Sequence, residues 1–171
     1  MGSVYKYVRY LAYFIEILVL YVIEQIPNFI PGVNGAKPIL VLPVVFIIAV
    51  FEGENPALMF GFFSGVLLDI SSSGKIGFYT VVVALVAYIL GISARYIIET
   101  VNFFNAIIGC FLSIFIVYSL YFLVMFVSKG FPEAVYAFTS YYLIGMLYTF
   151  LVAPLVYFFN RALAINIRRG E

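Results

Sequence analysis

GFFSGVLLDISSSGKIGFY, residues 61–79, sets two glycines four positions apart in an apolar run, ends that run on the chain's one aspartate, and continues into a serine turn. Residues four apart share a face of a helix, and small residues on that face let a second helix approach closely. A second small-residue series follows at alternating steps of three and four: Gly77, Thr80, Ala84, Ala87, Gly91 and Ala94. The stretch therefore predicts two small-faced helices joined by a short outer turn, lying against each other or against a partner.

Working outward, the whole chain has the same apolar character. Of 171 residues, 65% are hydrophobic and 10% charged, against roughly 45–50% and about 25% in a soluble domain. The expected fold class is an all-α integral membrane protein, a single polytopic transmembrane domain over residues 1–171. The net charge of +1 offers no basic footprint for nucleic acid. The first apolar stretch carries Glu16 and runs on to Ile26 without a small-residue cleavage site, so it reads as a retained first span. Cys110 lies mid-run, where cysteine acts as a small hydrophobe.

Six spans are predicted, over Val8–Ile26, Pro38–Phe51, Pro56–Ile70, Ile76–Tyr96, Phe103–Val127 and Val135–Phe159. The second and third are short, so Pro38–Ile70, broken at Glu52-Gly53-Glu54-Asn55, forms either two thin helices or a re-entrant hairpin. An even number of crossings puts Lys6, Arg9, Arg95, Arg161, Arg168 and Arg169 on one side, and only Lys37, Lys75 and Lys129 on the other. The positive-inside rule then makes both termini cytoplasmic. The 15 tyrosines cluster near predicted ends and form the interfacial belt, since the chain has no tryptophan. Pro154 is expected to kink the last helix, and Asn102 and Asn105 to open the fifth.

Acids inside such a chain are costly and need partners. Asp69 follows Gly65 by four and shares its face; it either caps the Ser71–Gly74 turn or recognises a partner or ligand. Glu16 lies near mid-membrane, about 15 Å into its span. A pairing with Arg9, seven residues earlier on the same face, or a neutral carboxyl, is weighed against a proton or cation pathway. Glu24 sits near the outer interface and calls for no special account.

Several chemistries lack their residues. Without histidine there is no Ser-His or Cys-His pair and no His-based metal site. A single Asp does not make an aspartyl dyad, and no phosphate-binding loop occurs. The expectation is a non-enzyme without cofactor or metal.

Glu54-Asn55-Pro56, Gly61-Phe62, Gly65-Val66-Leu67-Leu68-Asp69, the polar turn, Gly77-Phe78-Tyr79, and later Tyr88, Gly91 and Arg95 together resemble the rod shape-determining MreD family. The likeness covers about Pro38–Arg95; Ile39 departs from it, since the family often has Pro-Asp where Pro38 stands. The resemblance implies a multi-pass subunit of the bacterial cell membrane that binds the single-span protein MreC. Through it the subunit would reach the MreB filament and the peptidoglycan synthases of cell elongation. Gly61, Phe62, Gly65, Asp69, Gly77, Gly91 and Arg95 would be its partner-binding or helix-packing residues. Arg95, with Arg161, Arg168 and Arg169, would meet anionic lipid or a cytoplasmic partner. The family is also similar in fold to the six-helix S-components of energy-coupling-factor vitamin transporters, so a ligand site near Asp69 and Lys75 is the alternative. Against it, Ala12 alone is small in the first span, where S-components usually carry an Ala-x-x-x-Ala-type motif.

Overall fold

The computed structural model describes residues 2–27, 29–33, 35–72, 77–96, 102–125, 136 and 138–168. Among them it contains six α-helices: α1 Gly2–Gln25, α2 Val41–Glu52, α3 Glu54–Ser71, α4 Phe78–Tyr96, α5 Phe103–Met125 and α6 Leu143–Arg168. A π-helical turn, Phe138–Tyr142, leads into α6. Three helical segments, Phe78–Tyr96, Phe103–Val124 and Phe138–Leu163, are long and apolar enough to cross a membrane. The start of the last predicted span, Val135, lies outside the described residues, and α6 runs through Pro154 beyond Phe159. Ser73, Gly74, Lys75 and Lys129, and the side chains of Arg168 and Arg169, lie outside the described residues.

The second predicted span is not a lipid-facing helix. Ten consecutive residues of α2, Val41 to Val50, are buried, and α2 packs against all five other helices. A helix that is apolar all round belongs in a core. At about 1.5 Å per residue its 12 residues reach only about 18 Å, well short of a hydrocarbon core of about 30 Å. Ahead of it in the chain, Val33 and Ala36 exchange backbone hydrogen bonds of 3.0 and 2.9 Å.

The break between α2 and α3 is a single residue, not the four-residue stretch read from the sequence. Gly53 has φ +82°, a left-handed conformation that glycine adopts without a Cβ penalty. Its N–H donates to Ala49 O at 3.1 Å and its carbonyl accepts from Ala57 N at 3.1 Å, so one residue ends α2 and starts α3.

Capping of α2 comes from distant side chains. Leu40, at the N-cap, has no side-chain cap bond. Instead its N–H donates to Glu24 Oε2 of α1 at 2.9 Å, and the Ile39 N–H donates to Thr149 Oγ1 of α6 at 3.0 Å. A carboxylate at a helix N-terminus both satisfies an orphan donor and offsets the helix dipole. Glu24 thus has a specific structural task that its position in the sequence did not reveal.

Candidate functional site

The most extensive helix contact joins α3 to α4, and the glycines explain how close it is. A Cβ built on Gly61 would lie 3.0 Å from Ala84 Cα and 3.0 Å from Ala87 Cβ. One on Gly65 would lie 2.5 Å from Thr80 Cα, and one on Gly91 2.8 Å from Glu54 Cα. Ala57, Ala84, Ala87 and Ala94 are buried along the same seam. The small face of α3 is therefore turned onto α4 within the chain. Phe62, between the glycines in sequence, points away and is 57% exposed.

Asp69 closes one end of this seam, and here the expected capping of the serine turn is corrected. Its Oδ1 accepts from the Tyr79 N–H at 2.9 Å; its Oδ2 accepts from the Thr80 N–H at 2.9 Å and the Thr80 hydroxyl at 2.5 Å. These donors belong to the first turn of α4, whose orphan N–H groups a cap must satisfy. The Ser71 and Ser72 hydroxyls donate to carbonyls behind them, Leu68 O and Asp69 O. Asp69 is the cap of the next helix, supplied from eight residues before its N-cap position.

Gly77 explains why the cap must come from elsewhere. It precedes α4 with φ +97°, and its carbonyl accepts from Val81 N at 3.2 Å. Lacking a side chain, it cannot cap its own helix. An added Cβ would meet nothing within 4 Å, so Gly77 serves backbone conformation and is not part of the packing stripe assigned to it.

Two arginines hold the other end. Arg95 Nη1 pairs with Glu54 Oε1 at 2.6 Å, with the arginine side chain 60% exposed. Arg9 of α1 pairs with Glu52 through Nε–Oε1 at 2.8 Å and Nη2–Oε2 at 3.1 Å, both side chains being buried. Tyr13 donates its hydroxyl to Glu52 Oε1 at 3.1 Å. Arg9 therefore does not pair with Glu16, the partner proposed from helical spacing. Glu16 accepts from Asn160 Nδ2 of α6 at 3.1 Å, and it lines an apolar groove of about 610 Å³ between α1 and α6.

Every acid among the described residues thus ties one helix to another, and none stands open to solvent as a reactive group. No group of three or more His, Cys, Asp or Glu residues that could hold a metal occurs among them. What fold and site define is a helical membrane protein whose polar chemistry is spent on joining helices. The family model described as rod shape-determining protein MreD matches residues 5–163, and the chain belongs to that family. The MreD family places it with the rod-shape-determining machinery as a membrane protein. Neither a curated protein nor a solved structure matches the chain, and nothing in these comparisons supports the vitamin-transporter alternative.

Proposed function

We propose that this chain is the MreD subunit of the bacterial cell-elongation complex, binding MreC and through it influencing MreB and peptidoglycan synthesis. The observation that carries the reading is the family match across residues 5–163. It acts as an interaction protein and not as an enzyme. Gly61, Gly65 and Gly91 pack against α3 and α4 backbone of the same chain, so MreC docks on the bundle's outward faces while the glycine seam sets their shape.

The chain is a multi-pass protein of the cytoplasmic membrane with both termini inside, and the short α2 stands enclosed within the bundle. Supporting this, Arg9 and Arg95 meet the two ends of the same junction, Glu52 and Glu54, which gathers basic residues at one end of the bundle as the positive-inside rule requires. The decisive experiment is co-purification of tagged chain with MreC in nanodiscs. Retention of MreC at fixed stoichiometry is expected; a chain that is folded but does not hold MreC overturns the proposal.

A further inference from the structure

The pair Glu16 and Asn160 has a chemistry that the reading as an elongation subunit does not use. Asn160 is fully buried, and its Nδ2 donates to Glu16 Oε1 at 3.1 Å. The other two oxygens of the pair, Glu16 Oε2 and Asn160 Oδ1, are also buried, and neither has a hydrogen-bond partner.

An ionised carboxylate only accepts, and so does an amide oxygen. With Glu16 ionised, both oxygens would be acceptors without a donor in a low-dielectric setting, the costliest condition for a buried polar group. Among the described residues no neighbouring cation relieves it. On the helices packed against α1, Glu52 is paired with Arg9, Glu54 with Arg95, and Asp69 is bonded to Tyr79 and Thr80; Arg161, next to Asn160, is exposed. The groove beside Glu16 is walled by Ala12, Val19, Val152, Leu155 and Phe159, none of which has a side-chain donor. A single hydrogen on Oε2 satisfies both oxygens at once, because an acid O–H donates and the amide oxygen accepts.

We propose that Glu16 holds a proton on Oε2 and donates it to Asn160 Oδ1, completing a neutral two-bond acid–amide clasp that locks the first helix to the last at mid-membrane. The clasp is a proton-binding site made by two residues 144 apart in the chain, with no charge to neutralise.

Infrared spectroscopy of the purified full chain tests this directly. At neutral pH the wild type is expected to show a protonated-carboxyl C=O band that moves in D2O and is missing from Glu16→Gln. Thermal unfolding gives a second readout. Glutamine can rebuild the ring, its amide nitrogen donating to Oδ1 and its oxygen accepting from Nδ2, so Glu16→Gln should melt within about 2 °C of wild type. Glu16→Ala and Asn160→Ala should each melt lower by about 3–6 °C. Absence of the acid band in wild type, or a Glu16→Gln protein that fails to fold or falls as far as Glu16→Ala, overturns the proposal. None of these outcomes depends on MreC, so the test stands apart from the proposed function.

Discussion

Asp69 at the end of α3 grips Thr80 twice, accepting its backbone N–H at 2.9 Å and its hydroxyl at 2.5 Å with the same carboxylate oxygen. One side chain thereby ends one helix and begins the next. Asp69→Ala would leave the Tyr79 and Thr80 N–H groups without their acceptor, a loss of about 2 kcal/mol from caps of this kind. In a chain of this size that lowers the melting temperature by roughly 4–8 °C. Hydrogen exchange at Tyr79 and Thr80 should accelerate more than elsewhere in α4; uniform exchange and an unchanged melt would show that the cap is dispensable.

The glycine seam makes a graded prediction. Gly65→Ala places a methyl 2.5 Å from Thr80 Cα, whereas Gly61→Ala places one at 3.0 Å from Ala84 Cα. Both neighbours are backbone atoms that do not rotate away, so overpacking should cost about 1–3 kcal/mol, with Gly65→Ala the worse. Equal stability of the two variants, measured by thermal unfolding in one detergent, would contradict the seam.

The two arginine pairs should differ in weight. Removing Arg9 strands a buried Glu52 and is expected to cost about 3–5 kcal/mol. Arg95 is largely exposed, and removing it should cost about 0–1 kcal/mol, falling further as salt is raised. Chemical denaturation of Arg9→Ala and Arg95→Ala, each at low and high salt, checks the ordering.

Thr149 accepts the Ile39 N–H, donates to Gly145 O at 2.7 Å and lies 2.9 Å from the Tyr118 hydroxyl. Thr149→Val keeps the shape and deletes the hydroxyl, leaving the Ile39 N–H unpaired at a cost of about 1–3 kcal/mol. Faster exchange of the amides opening α2 is the expected signature, and its absence would assign their protection to Glu24 alone.

How much of this could be read from the sequence depended on whether the signal was periodic. The close contact of α3 and α4 was legible in glycines and alanines at steps of three and four, because small residues leave a regular mark. Partners of charged side chains left none. Helical spacing put Arg9 beside Glu16, but its partner Glu52 is 43 residues away, on a helix whose place only the whole packing decides. Asp69 was matched to the nearest polar turn, since nothing local distinguishes a carboxylate that folds back from one that reaches the next helix. The standing of α2 was hidden for the opposite reason: Val41 to Val50 is apolar throughout, and a segment without a polar face cannot say what surrounds it.

The enclosure of α2 also sets an order of events. Its wall includes α5 and α6, which leave the ribosome after it, and the Ile39 N–H at its entrance waits for Thr149. The most apolar segment of the protein is therefore made early and sealed last. A chain stopped before α6 would hold an unfinished central pillar, open on the side where the final helix should close it.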